Sequence, residues 1–459
     1  MENQVLESKE QSITKYLLDK TDFEIIQSEN DDYLFLADSL RLFKITNSKT
    51  EEYLKLCNEN DIAGTFLSDE EIFSFGTYLK QDEKQEPESA PVFDYNFLIL
   101  NIVGGCNLAC KYCFAETTGN YKSMSLETAR KAIDNMLSQK NEINEYSIYY
   151  FGGEPLLKKE LLREITEYAY NEIVLKRNKT INFLINTNAT LIDDKAVELF
   201  RKYKFKVTVS IDGPMEIHDE NRVYHNGKGS FNKVIEKVNV LKSNNIATNL
   251  RATFSPKIKN LVSVFVFFET LQFPYAYSFT LTNDYKSNRA DTHFSNRQLE
   301  EINLELRAVM DYFVAKIINR ETVFCTGLFR KIGTVTNKVR RTYSCEAGRR
   351  SITVDETGTY FACQNMIPYK HANMGDVNTN INYWQRRQFM AKNITTITQC
   401  RNCSIRNLCL GGCEVERINS GDGLDKQMCD FFKMEWKNIL YANVRLMELK
   451  GFGKNFSSN

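Results

Sequence analysis

Three cysteines, Cys106, Cys110 and Cys113, stand in a C-x3-C-x2-C spacing directly after the apolar run Asn96–Val103. That spacing gives a metal cluster three thiolates and leaves its fourth corner free. A closed structural zinc site takes four ligands, so the triplet favours an iron–sulfur cluster with one open iron. Eight of the other nine cysteines lie beyond residue 320. Seven of these form a second pattern: Cys345, Cys363, then C-x2-C-x5-C-x3-C at Cys400, Cys403, Cys409 and Cys413, closed by Cys429. The fold must therefore bring strand ends and long loops together around metal. Twelve cysteines in 459 residues are too few for a disulfide scaffold. The acidic, polar stretch Met1–Asp19 has no apolar signal-peptide core, and no run approaches the roughly 18 apolar residues of a membrane span. Cysteines in this context point to metal in a reducing, cytoplasmic compartment, with no membrane partner.

The 59 basic and 59 acidic side chains cancel, which offers no case for a nucleic-acid partner. Residues 1–90 nonetheless carry 21 acidic against 9 basic groups, a charge that suits solubility or attraction of a basic ligand. Asp32–Ala37 and Leu40–Thr46 alternate like a hairpin, and helical stretches follow near residues 50–57 and 69–79. Residues 1–80 thus read as a small α+β, winged-helix-like module. The charged stretch QDEKQEPESA, with Pro87, opens a linker spanning 81–95. From residue 96 six apolar strand candidates alternate with helices: Asn96–Val103, Tyr146–Phe151, Ile181–Asn186, Phe205–Ile211, Ile246–Phe254 and Tyr275–Leu281. This is an α/β pattern with a parallel sheet, whose sites gather at the C-terminal strand ends. The core is assigned to 96–310, a bridging region to 311–344, a loop-rich metal-bound domain to 345–435, and a terminal helix and tail to 436–459.

The cysteine triplet, followed by Phe114, closely resembles the radical S-adenosylmethionine (SAM) superfamily, which implies a partial (β/α)6 barrel holding a [4Fe–4S] cluster and SAM. Further motifs carry the same resemblance. Phe151–Pro155, FGGEP, is the glycine-rich turn that the family sets against the SAM amino group, with Gly152 and Gly153 admitting close backbone approach and Glu154 bracing the loop or contacting the ammonium. Asn186 and Asn188 fall where the family makes polar contacts to SAM. Ser210–Gly213, SIDG, matches the segment that holds the SAM ribose; Ser210 is the direct contact, and Asp212 is either a second contact or a cap of the Gly213–Pro214 turn. Arg222, in HDENR, offers a guanidinium fork for the methionine carboxylate, while His218 reads as structural and Ser230 as a helix cap.

The second cysteine set resembles the SPASM domain, a C-terminal extension of radical SAM enzymes that modify peptides and proteins. That resemblance implies two auxiliary [4Fe–4S] clusters, three in all: Cys400, Cys403, Cys409 and Cys429 for one, and Cys345, Cys363 and Cys413 for the other. Cys325 is the best spare thiol for the latter's fourth corner, with an open iron as the alternative. Cys57 reads as a buried core thiol. The overall resemblance is to thioether-forming maturases of cysteine-rich precursor peptides, the sactipeptide and ranthipeptide makers. It implies a leader-bearing precursor bound by the N-terminal module, and a reductant such as flavodoxin or ferredoxin. Carbon–carbon cross-linking and anaerobic sulfatase formylglycine maturation are the alternatives. Sulfatase maturases carry a Q-x3-M-D-like segment that supplies a catalytic aspartate; Gln272–Tyr277, QFPYAY, lacks it, leaving Asp284 and Asp291 as possible bases. A cluster-bearing electron carrier without catalysis is disfavoured, because it needs no SAM cleft.

Overall fold

The computed structural model describes residues 23–28, 32–37, 40–45, 94–113, 122–139, 143–254, 258–279, 295–339, 341, 343–391, 394, 397–401, 403–415, 424 and 426–449. The expected helices near 50–57 and 69–79, the segment 81–90, Cys57, Phe114, Asp284 and Asp291 lie outside the described residues.

The centre is an eight-stranded sheet built on six parallel strands: β4 (Phe97–Val103), β5 (Glu145–Gly152), β6 (Thr180–Thr187), β7 (Lys206–Ser210), β8 (Ala247–Phe254) and β9 (Tyr275–Phe279). They pair in sequence order, with registers such as Leu98↔Ile148 and Leu250↔Tyr275. β4 reads FLILNIV and is buried along nearly its whole length, as a parallel strand covered on both faces should be. β8 instead alternates. Leu250, Ala252 and Phe254 are buried, while Asn249, Arg251 and Thr253 turn to the barrel interior and line its cleft.

Helices return the chain between strands: α1 (Leu126–Leu137), α2 (Lys159–Tyr170), α3 (Asp194–Lys202), α4 (Met215–Asn221), α5 (Phe231–Ser243) and α6 (Leu261–Leu271). Their starts follow from local chemistry. Ser125 accepts from Thr128 N at the head of α1, and Asp193 accepts from Ala196 N at the head of α3. Ser295 and Gln298 form a capping box for α7 (Asn296–Ile318), and α8 (Thr326–Thr336) follows it. Between sheet and helices Tyr150, Phe183 and Phe205 stack with ring centroids 5.4–6.5 Å apart.

Two further strands join the sheet from far down the chain. β10 (Ser351–Val354) pairs parallel to β4, with Ile352 opposite Leu98, and β11 (Tyr360–Phe361) pairs antiparallel to β10. The region expected to be loop-rich is thus sewn to the barrel edge. It continues through β12 (Gly375–Asp376), β13 (Asn380–Ile381), α9 (Tyr383–Ala391) and two single-turn helices, α10 (Thr398–Arg401) and α11 (Arg406–Cys409). It ends in α12 (Lys426–Glu448), packed on α7 and α8. Near the other end of the chain a three-stranded antiparallel sheet, β1 (Phe23–Gln27), β2 (Asp32–Leu36) and β3 (Arg41–Ile45), contains the expected hairpin plus a preceding strand. It docks on the C-terminal extension: Glu24 lies 2.8 Å from Lys437 Nζ and also accepts from Ser404, and Asn407 Nδ2 donates to Ala37 O at 3.0 Å. The architecture is a partial (β/α) barrel with a small N-terminal α+β module and a C-terminal loop- and helix-rich, SPASM-like extension.

Candidate functional site

The C-terminal ends of β4 to β9 open into a cleft of about 860 Å³. Cys106, Cys110 and Cys113 line it, on the loop that leaves β4. That loop is strapped down by backbone bonds from Ala109 N to Val223 O (2.7 Å) and from Lys111 N to Asn221 O (3.0 Å), and His225 Nε2 contacts Cys106 O at 3.0 Å. Cys106 is buried and its Sγ accepts from Leu108 N at 3.3 Å. Burial pushes the Cys106 thiol up to about 12 and the Cys110 thiol up to about 11. A metal must therefore displace protons when these groups ligate.

The glycine-rich turn does more than face a ligand. Gly153 N donates to Val103 O at 2.8 Å and Glu154 N to Gly105 O at 2.9 Å, so the turn after β5 is laced to the cysteine loop. A Cβ on Gly153 would fall 2.1 Å from Gly105 O, and one on Gly152, at φ +138°, 2.3 Å from Val103 O. Glycine is required here by backbone against backbone, and both residues also line the cleft.

Glu154 points inward and is fully buried. Its carboxylate accepts from Leu156 N (3.0 Å), Thr187 Oγ1 (2.7 Å) and Asn188 N (2.7 Å), tying the end of β5 to the end of β6. This is a bracing role. Burial lifts its pKa to about 7 against the pull of those three donors. Asn188 reaches back to the cysteine loop, donating to Asn107 Oδ1 at 3.0 Å with Cys106 Sγ 3.6 Å away. Asn186 and Ser210 line the cleft wall.

Asp212 is buried and holds three donors: Arg222 Nε at 2.9 Å, Thr253 N at 3.0 Å and the Tyr112 hydroxyl. Its carboxylate therefore binds protein instead of capping the Gly213–Pro214 turn. Arg222 lines the cleft with Nη1 3.9 Å from Cys110 Sγ and its guanidinium over the Tyr112 ring. Burial opposes its charge, but Asp212 outweighs that and raises its pKa above the ordinary arginine range. Tyr112, inside the cysteine motif, belongs to this network and was not singled out from sequence. His218 is fully buried, receives Asp212 N on Nδ1 at 3.3 Å and meets Ser230 Oγ through Nε2 at 3.0 Å. Ser230 donates onward to Arg222 O at 2.8 Å instead of capping α5, where it makes no side-chain cap bond.

The remaining cysteines fall into two neighbourhoods. Burial pushes Cys363 up to about 12, with Cys413 and Cys345 adding to the rise; burial does the same for Cys409, with Cys403, Cys400 and Cys429 around it. Cys325 sits elsewhere. It is fully buried in the core at the head of α8, beside Tyr275, Glu269 and Lys331, and ligating a cluster would require it to leave that core. Among the described residues no three His, Cys, Asp or Glu side chains are set for a single metal ion. Three thiols on one loop, facing a cleft with no fourth thiol among its described lining residues, suit a cluster with an open corner.

These features place three thiols in a cleft at the mouth of a parallel barrel. Residues 100–258 match the family model described as the Radical SAM superfamily. An uncharacterized protein of Methanocaldococcus jannaschii is 39% identical over 160 residues, which cover 35% of this chain and 53% of that protein. A serine-type anaerobic sulfatase-maturating enzyme of Bacteroides thetaiotaomicron is 35% identical over 175 residues, 36% of this chain and 40% of that enzyme. The chain thus matches about half the length of these relatives or less. Among solved structures, anSMEcpe with bound AdoMet and the Cp18Cys peptide superposes with TM-score 0.64 at 21% identity, covering 77% of this chain and 98% of that one. Streptococcus suis SuiB bound to the precursor peptide SuiA gives 0.52 at 13% identity, covering 87% and 95%. Both share the fold. Residues 100–258 thus carry a radical SAM catalytic domain, set in a fold shared with anSMEcpe and SuiB.

Proposed function

We propose that this enzyme oxidises a residue of a peptide or protein substrate by hydrogen-atom abstraction in the cleft. The observation that carries this reading is the cleft itself. It is lined by Cys106, Cys110, Cys113, Gly152 and Gly153 and also by Gln364 and Asn365, which directly follow Cys363. A substrate residue between them is close to both a radical source and an electron acceptor. With a [4Fe–4S] cluster on the triplet and SAM bound, reductive cleavage of SAM supplies a 5′-deoxyadenosyl radical. The chain's residues do the positioning. The Gly152–Gly153 backbone, Asn186, Asn188 and Ser210 face the SAM volume, Glu154 fixes the two strand ends carrying them, and Arg222 presents a fixed cation there. Two auxiliary clusters, one on Cys400, Cys403, Cys409 and Cys429 and one on Cys345, Cys363 and Cys413, would take the second electron; a flavodoxin- or ferredoxin-like reductant would supply the first.

Formylglycine formation is the leading product reading, supported by sulfatase maturases among the relatives. Thioether formation is the second. It is favoured by the trio Cys345, Cys363 and Cys413, which leaves a cluster corner for a substrate thiolate while Cys325 stays in the core. The deciding experiment incubates reconstituted enzyme, SAM and dithionite with a sulfatase-derived peptide bearing a central cysteine or serine, and separately with a cysteine-rich peptide. An aldehyde captured by a hydrazine supports formylglycine. Loss of two hydrogens that survives thiol reduction, with one fewer alkylatable thiol, supports a thioether. SAM cleavage that modifies neither peptide counts against the peptide reading.

A further inference from the structure

The cleft wall carries two cations that the SAM-binding motifs do not explain. Arg251 lies on the inward face of β8, between Asn249 and Thr253, and Arg330 projects from α8 one turn beyond Thr326. All five residues line the same cleft. Among the described residues none of its lining side chains is Asp or Glu, and neither guanidinium makes an ion pair. The two are near enough to oppose each other: burial lowers the pKa of Arg251, and Arg330 lowers it further. Tyr149, from β5, lies close to Arg251, with its phenol kept protonated by burial and pushed up to about 12. Two like charges, Arg251 partly buried and Arg330 exposed, and a phenol that share a cleft with no acid among its described lining residues form an arrangement that is relieved by an anion. Guanidinium forks suit a carboxylate.

We propose that Arg251 and Arg330 form a carboxylate-receiving site, which takes an acidic group of the substrate: an Asp or Glu side chain near the reacting residue, or the chain's C-terminal carboxylate. The proposal rests on the reading that the substrate is a peptide or protein. SAM also carries a carboxylate, but Arg222, with Nη1 3.9 Å from Cys110 Sγ, is the cation that would receive it beside a cluster held by the Cys106 triplet. Arg330 belongs to α8, outside the strand-end motifs, and lines the cleft together with Thr326 of the same helix.

The test measures binding to reconstituted, SAM-loaded enzyme at low ionic strength. The probes are N-acetyl-glutamate methylamide, its glutamine isostere, N-acetyl-alanine with a free carboxylate, and glutarate. At least one blocked acidic probe should bind ten times more tightly than the neutral isostere. Arg251→Gln and Arg330→Gln should each remove most of that difference while leaving SAM affinity within about twofold. Arg251→Lys keeps the charge without the fork, and should lose affinity yet remain folded. Preference for the glutamate probe assigns a side-chain carboxylate; preference for N-acetyl-alanine assigns a C-terminus. Binding of glutarate through both arginines, with no affinity for the amino-acid probes, keeps the carboxylate site and removes the peptide reading. Equal binding of acidic and neutral probes overturns the proposal, as does an Arg251→Gln variant whose loss is confined to SAM.

Discussion

His218 shows how much of the cleft depends on a side chain that never meets it. Its Nδ1 accepts Asp212 N–H and its Nε2 faces Ser230, whose hydroxyl is committed to Arg222 O. Both ring nitrogens are thus used by the neutral Nε2–H form, and a second proton on Nδ1 would point at an N–H donor. Burial accordingly lowers its pKa to about 4. The unfolded chain binds that proton near pH 6.5 and the folded chain only near 4, so stability is present above 6.5 and is lost as pH falls through that window. The shift corresponds to about 3 kcal/mol at one pKa unit per ~1.4 kcal/mol. Urea unfolding of wild type should weaken by about that amount between pH 6.5 and 4, and His218→Gln, which keeps one donor and one acceptor, should flatten this slope. An unchanged slope in the variant would show that another group carries the titration. At this scale the sequence identified which residues matter better than what they do. HDENR and SIDG were legible as site segments, but the clamp of Arg222 and Tyr112 on Asp212 joins residues 100 positions apart in the chain. Arg251 and Arg330 were not singled out. The one available signal was polar alternation inside an otherwise apolar strand.

The elements were legible where they are long and periodic. Apolar runs such as FLILNIV appear where expected, within a residue or two, and helices fill the intervals between them. β10 and β11 are four and two residues long, too short for a pattern, and their place depends on pairing with β4 some 250 residues earlier in the chain. α6, LVSVFVFFETL, is apolar almost all round and hides its period. The loops carry the strictest demand of all. Gly153 allows the turn after β5 to lie on the cysteine loop, with Gly105 O 2.1 Å from where a Cβ would stand. Gly153→Ala should therefore displace the loop that bears Cys106, lowering both iron content and SAM affinity by at least tenfold. Gly227→Ala is the control: at φ +78° with nothing within 4 Å, it strains only its own backbone, by about 1 kcal/mol. Iron and SAM titrations of the two variants compare them directly, and equal behaviour would mean that the close backbone contact has no bearing on the cluster loop.

At the scale of the whole molecule, the small N-terminal sheet meets the C-terminal extension. Glu24 on β1 is held by Lys437 of α12 and by Ser404, one residue beyond Cys403, and Asn407 in α11 grips Ala37 O. The N-terminal sheet is thus fastened to the part of the extension that carries Cys403 and Cys409. β1 lies on the docked side of the sheet, against α12. With residues 1–90 carrying 21 acidic and 9 basic groups, this part of the chain suits a substrate segment with local positive charge. Deleting residues 1–90 should therefore weaken binding of a substrate that extends beyond its reacting residue, while SAM cleavage without substrate stays near wild type. Lys437→Ala, which keeps the module but loosens its seat, should fall between the two and make the junction more open to proteolysis. Titrating a long substrate and its short core peptide against all three proteins separates the roles. A loss confined to the long substrate assigns recognition to the module. Equal affinities throughout would leave it a support for the extension alone, and the loss in Lys437→Ala would then appear only as reduced thermal stability.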